Sequence, residues 1–271
     1  MTENTKLVSF HDSFDLSLEK PLSHSEMYPL LNKLKMGTRE WAKRELNCIK
    51  GCYNNCIYCY AKAIAKQFKR CDEDTWEKMK ISERIINKDY GKTRKKGPQP
   101  YDIMFPTSHD IFPQEPYYSA YLKVLKKLIK AGNSVLIVSK PREEVIRDLC
   151  EELKGYEDNV AFRFTIGSTN SELLKIFEPN APPFKERINS LIMATESGFS
   201  TTVSAEPLLD PDPSDLITKI TPYLPDVDHE KDQGTIWIGL LKIQYIPLEK
   251  RKNKIKIEIK KDYNYSYSRN N

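Results

Sequence analysis

Ser134-Val135-Leu136-Ile137-Val138 is an unbroken apolar run rich in β-branched residues. A strand with one wet face alternates apolar and polar residues. A continuous run belongs to a strand covered on both faces, as in a parallel sheet. The flanks agree with this reading. Before the run, Tyr117 to Ala131 carries Tyr121, Leu122, Val124, Leu125, Leu128 and Ile129 at helical spacing with lysines between them, and Gly132 ends it. After it, Pro141 opens a second helical stretch that continues to Leu153. Strand and helix in this order form the crossover unit of a parallel sheet.

The same order repeats outward. Tyr101-Asp102-Ile103-Met104-Phe105 is a short strand before the first helix, and Val160 to Ile166 a strand after the second. Pro183 to Glu196 reads as a helix ended near Gly198, Ser200 to Ala205 as a strand, Asp215 to Ile220 as a helical piece and Thr235 to Leu240 as a late strand. The expected class is α/β. The alternation alone allows a full barrel or an open doubly wound sheet as readily as a partial barrel. Polar residues follow each apolar run: Thr107-Ser108-His109-Asp110, Ser139-Lys140, Gly167-Ser168-Thr169 and Ser204-Ala205-Glu206. Singly these suit caps and turns. Together they mark one rim at the carboxyl ends of the strands, where parallel α/β sheets bind ligands.

At 271 residues, the chain is long enough for one sizeable core. Its 39% hydrophobic and 30% charged residues exclude a disordered chain, and no apolar stretch approaches a membrane span. The polar start Met1-Thr2-Glu3-Asn4-Thr5-Lys6 does not read as a signal peptide. A cytoplasmic location is expected, with the six cysteines used for metal binding rather than disulfides. The net charge of +5 permits a nucleic-acid substrate without requiring one.

The chemistry concentrates in Gly51-Cys52-Tyr53-Asn54-Asn55-Cys56-Ile57-Tyr58-Cys59-Tyr60, where three residues separate the first cysteine pair and two the second. Thiolates this close can hold one compact metal centre, whereas a disulfide would leave one sulfur unpaired. Three ligands on one loop suit a cubane iron–sulfur cluster whose fourth iron is open to a substrate or cofactor. The alternative is a structural zinc site completed by Cys48, which would leave a nucleic-acid-binding protein without catalysis. Ala61 to Phe68 is a good helix former, so the loop should open into a helix.

The Cys-x3-Cys-x2-Cys pattern, with Tyr58 before its last cysteine, resembles the signature of the radical S-adenosylmethionine (SAM) enzymes. That resemblance implies a partial (β/α)6 barrel and a [4Fe-4S] cluster on Cys52, Cys56 and Cys59. SAM would chelate the open iron, with Tyr58 near its adenine. One electron, from a donor such as flavodoxin or ferredoxin, would then cleave SAM to a 5′-deoxyadenosyl radical that abstracts hydrogen from substrate. A closer likeness covers roughly Leu46 to Leu240. Ser139-Lys140, Thr165 to Thr169, Glu178 to Pro182, Glu186-Arg187 and Ser204 to Pro207 together resemble the spore photoproduct lyase-like branch. It implies Lys140 and Ser168 near the SAM carboxylate or ribose, Arg187 on the methionyl carboxylate and Glu206 towards cofactor or substrate.

The likeness also has a departure. Many radical SAM enzymes carry a Gly-Gly-Glu-type segment after the second strand, and here that place holds Pro106 to Asp110, so Ser108 or Asp110 would take the amino contact. Blander readings stand beside these roles. Glu178 and Arg187 suit a surface ion pair of little energetic weight, Lys140 a solvated loop lysine, and His109 a structural histidine. The lyase likeness suggests thymine-dimer repair in DNA, for which an extra cysteine would be needed, yet Cys48, Cys71 and Cys150 match no such segment. Cys150, between Leu149 and Leu153, suits plain core packing.

Three regions are expected: a 1–45 extension packing on the barrel through Phe10, Phe14, Leu30, Leu31 and Leu34, a core over 46–245, and a basic, Tyr-rich tail over 246–271. Lys92 to Pro98 reads as an exposed basic linker. In the tail, Lys256 to Lys260 has strand-like alternation and is followed by Tyr263, Tyr265 and Tyr267. Lysines among tyrosines can stack and pair with single-stranded nucleic acid. The simpler reading is an edge strand and a mobile end.

Overall fold

A computed structural model describes residues 38–71, 75–228 and 233–239. The expected packing of residues 1–37, the tail over 246–271 and Leu240 lie outside the described residues. Six strands form one sheet: β1 (Ala42–Glu45), β4 (Tyr101–Met104), β5 (Val135–Ser139), β6 (Val160–Thr165), β7 (Ser200–Ala205) and β8 (Ile236–Ile238). They pair in that order, and every pairing is parallel. Between β1 and β4 the chain makes a separate antiparallel pair, β2 (Ile49–Lys50) with β3 (Lys80–Ile81).

Helices occupy the crossovers. Their order is α1 (Thr38–Trp41), α2 (Tyr60–Gln67), α3 (Glu83–Ile86), α4 (Tyr117–Lys130), α5 (Glu143–Glu152), α6 (Ser171–Phe177), α7 (Phe184–Glu196) and α8 (Ser214–Ile220). Alternation along the strands separates two cores. Val135, Ile137, Val160, Phe162, Phe164 and Val203 pack in the larger core with helix residues such as Val124, Leu125, Leu128, Ile146, Leu149 and Leu191. Leu136 and Ala161 instead join Ala42, Tyr101 and Met104 in a smaller one. Cys150 lies buried in the larger core, as its helical neighbours suggest.

The α/β class and the parallel sheet are as expected. The sheet does not close: among the described residues no ladder joins β1 to β8. Its edges nevertheless approach each other. The Trp41 and Trp237 rings meet edge-on at 4.3 Å, and the Arg163 guanidinium from β6 stacks on Trp41 at 3.9 Å and lies 5.6 Å from Trp237. Six strands laid flat would put those edges about 24 Å apart at ~4.8 Å per strand, so the sheet is strongly curled.

One expected boundary moves. β1 pairs with β4 through Ala42, Arg44 and Glu45, so the core begins before Leu46, inside the stretch expected to be an extension. The short Ala-Lys-Arg-Glu strand has no apolar alternation to announce it. The Lys92 to Pro98 segment is exposed except for Thr93, and Lys92 turns back to Asp102. Among the described residues no helix is long and apolar enough to cross a membrane.

Candidate functional site

The loop from Gly51 to Cys59 lies between β2 and α2, and local chemistry shapes both of its ends. Gly51 takes φ +85°, and a Cβ there would stand 2.5 Å from the Trp76 carbonyl oxygen, so only glycine fits. Asn55 takes φ 47°, a left-handed conformation that asparagine tolerates. At the other end, Cys59 caps α2, its sulfur accepting from Lys62 N at 3.4 Å.

Side chains brace the loop on all sides. Asn54 Nδ2 donates to Asp110 at 2.6 Å, and Asn54 Oδ1 accepts from Arg142 at 2.7 Å. Arg142 also reaches the Asn180 carbonyl at 2.9 Å, while Asn180 Nδ2 donates to the Tyr53 carbonyl at 2.8 Å. Asn55 donates to Glu77 and accepts from Lys62 Nζ at 2.9 Å. None of Asn54, Glu77, Arg142 or Asn180 was singled out from sequence. The available signal was Asn54-Asn55, two turn-forming amides inside the cysteine loop itself.

Cys52, Cys56 and Cys59 are free thiols, the first two buried. Burial pushes the Cys52 thiol up to about 12, with Asp110 and Cys59 adding to the rise. Burial also lifts Cys56 well above the ordinary thiol value. Lys140 opposes that rise, whereas Glu178, Cys52 and Cys59 reinforce it. The three sulfurs therefore lie within one another's field, and the two buried ones would be costly as bare thiolates. Among the described residues no three His, Cys, Asp or Glu side chains already converge as a ligand set. Protonated thiols have no attraction to draw them together; a cation supplies it by displacing their protons.

Cys48 stands apart from them. It is fully buried in the larger core, its N–H donating to His109 Nε2 at 3.3 Å. His109 Nδ1 donates to the Asp110 carbonyl at 2.8 Å, so both ring nitrogens are engaged and the histidine is structural, as its blander reading held. Cys48 packs in the larger core, apart from the cluster that holds Cys52 and Cys59. Cys71 does approach the loop, packing with Cys59 and Met79 against Cys52, Ala61, Trp76 and Phe112.

The remaining rim residues separate into groups. Tyr58, Lys140, Glu178 and Arg187 form one network. The Tyr58 hydroxyl donates to Glu178, Lys140 Nζ lies 3.8 Å from Glu178 and 5.6 Å from the Tyr58 ring centre, and Arg187 pairs with Glu178. Burial opposes the Glu178 carboxylate, but Arg187, Lys140 and Tyr58 hold its pKa below the ordinary value. Burial likewise works against the Lys140 ammonium, yet Cys56, Glu178 and Asp110 keep its pKa above the usual lysine value.

Several residues lie in surroundings other than those expected. Glu178 and Arg187 are not a surface pair, since both side chains are 0% exposed. Arg187 also donates to the Pro182 and Thr165 carbonyls at 2.8 and 3.1 Å, so it anchors Glu178 from within. Asp110 has no vacant acceptor position for an amino group. One oxygen accepts from Ser139 and Ile111 N, the other from Asn54 and Lys140 N. Ser168 is fully buried, bonded to Asp210 and to Asn170 N.

Ser108 and Glu206 stay at the rim. Ser108 N and Thr107 N both donate to Asn47 Oδ1 at 2.8 Å. Glu206 is exposed and accepts from Ser204 at 2.9 Å. Burial raises the Glu40 carboxyl, Glu206 adds to that rise and Arg163 opposes it. Lys140, half-buried over Tyr58, is not the solvated lysine of its blander reading.

No protein-family model matches the chain. It is similar to an uncharacterized protein, ORF301, of Acidianus two-tailed virus, at 29% identity over 177 residues. That alignment takes in 63% of this chain and 56% of the viral protein, so the chain spans little more than half of that relative.

Proposed function

We propose that the chain is a radical SAM enzyme built on a partial (β/α)6 barrel, with Cys52, Cys56 and Cys59 holding a [4Fe-4S] cluster. The observation that carries the reading is three unbridged thiols on one braced loop beside the carboxyl ends of a curled parallel sheet in sequential strand order. The donor set fits the group. The thiols share one field, lack a competing disulfide and have the Lys140 ammonium beside Cys56 to offset negative charge. When bound, the cluster would supply the electron for reductive cleavage of SAM and so the means of hydrogen abstraction.

The chain's own residues do the rest. Asn54 and Asp110 fix the loop against the ends of β4 and β5, and Asn55 ties it to Lys62 of α2. Glu178, fixed by Arg187, holds the Tyr58 hydroxyl and faces Lys140, so the residue before the last cysteine has a set position. Lys140 acts on the Cys56 sulfur and suits an anionic group such as a carboxylate. Glu206 and Ser108, both reachable at the rim, are left to orient cofactor or substrate.

Anaerobic reconstitution with iron and sulfide, followed by SAM and dithionite, tests the reading. The expected product is 5′-deoxyadenosine, lost in Cys56→Ala. Stoichiometric zinc, with no iron or sulfide retained, would overturn it.

A further inference from the structure

Trp76 is 5% exposed, and among the described residues its buried indole Nε1–H has no hydrogen-bond partner. A buried donor left unpaired is costly, which calls for an explanation. The residue is held firmly in place. Its carbonyl accepts from Cys52 N at 3.0 Å and presses on Gly51, where no Cβ would fit. The side chains that pack with it are Cys52, Ala61, Phe112, Cys59, Ala65, Cys71 and Met79. Within that cluster the sulfurs are the only side-chain acceptors. Neutral thiols and thioethers are weak acceptors, whereas a metal-bound thiolate or sulfide is charged and accepts well.

We infer that the Trp76 indole N–H donates a hydrogen bond to sulfur of the iron–sulfur cluster and thereby sets how readily it is reduced. This rests on the cluster reading above. The bond strengthens as the cluster gains an electron, because the sulfurs become more negative, so it favours the reduced state and raises the reduction potential. Trp76 is thus a tuning residue that acts through the cluster.

The test compares Trp76→Phe with the unaltered full chain after anaerobic reconstitution. Iron and sulfide content are measured first, then the midpoint potential by redox titration of the reduced-cluster paramagnetic signal. The expected variant keeps its iron but shows a reduced-to-oxidised ratio about tenfold lower at fixed potential, about 59 mV for one electron. An unchanged midpoint at full loading overturns the inference and reduces Trp76 to packing.

Should the variant take up no iron, pulsed paramagnetic resonance of the unaltered chain with 15N-indole tryptophan decides. A 15N coupling to the reduced cluster that survives Trp41→Phe and Trp237→Phe supports the bond, and no coupling overturns it. An unaltered chain that binds no iron overturns the cluster reading itself, an outcome distinct from a loaded cluster that ignores Trp76.

Discussion

Asn54 donates to Asp110 at 2.6 Å, a single hydrogen bond that joins the thiol loop to the carboxyl end of β4. Through Ser139 and Lys140 N the same carboxylate also reaches the end of β5. One buried side chain therefore sets the position of the loop relative to two neighbouring strands and to Lys140.

Asp110→Asn removes that arrangement. An amide keeps one acceptor oxygen and turns donors towards Asn54 or the backbone N–H groups, so at least two bonds are lost. A fall in stability of about 2–3 kcal/mol is expected in urea denaturation, together with lower iron retention. An unchanged denaturation midpoint would show that the loop is held by Arg142 and Asn180 instead.

Glu178→Gln leaves Arg187 buried without its carboxylate. The expected cost is about 3–5 kcal/mol, the usual consequence of stranding one charge of an enclosed pair. Replacing both residues with methionine should recover most of it, which a double-mutant cycle measures. No coupling between the two positions would contradict the enclosed pair.

Much of this architecture was legible before any coordinates. β4 to β7 and the helices α4, α5 and α7 announce themselves by unbroken apolar runs or helical spacing, because burial on two faces or along one stripe leaves that imprint. β1, β2 and β3 leave none: they are short, and β1 carries Lys43, Arg44 and Glu45. The thiol loop was readable from spacing alone. The directions of the rim side chains were not. Ser168 and Asp110 follow their strands as expected, yet one turns to Asp210 and the other spends all its acceptors internally. Arg187 and Glu178 lie nine residues apart in a charged-looking segment, and only packing buries them.

His109 confers an acid sensitivity. Burial lowers its pKa from 6.5 to about 4, although the Asp110 carbonyl opposes the fall. Between those values the unfolded chain binds a proton that the folded one excludes, so stability falls as pH falls. The contribution is fully present above pH 6.5 and fully lost below about 4, with a slope of up to about 1.4 kcal/mol per pH unit. Urea denaturation across pH 7 to 4 should show the slope, and His109→Gln should flatten it. An equal slope in the variant would assign it to other groups.

Gly51→Ala forces a Cβ to within 2.5 Å of the Trp76 carbonyl and a side chain into φ +85°. A loss of about 1–3 kcal/mol is expected. Because Cys52 adjoins the strained position, iron retention should fall with it. Normal stability and loading would mean that the loop can relax without moving Trp76.

The route of the chain between β1 and β4 carries one more consequence. These strands are neighbours in the sheet, yet residues 46–100 intervene, and the thiol loop lies within that excursion. Pairing them requires closing a long segment, an entropic cost that any internal tether reduces. A centre gathered by Cys52, Cys56 and Cys59 stiffens the middle of the excursion, so occupancy of the loop and docking of the edge strand are thermodynamically linked. The ladder amides of β1 and β4 therefore act as a remote gauge of the loop, with slower hydrogen exchange when it is occupied.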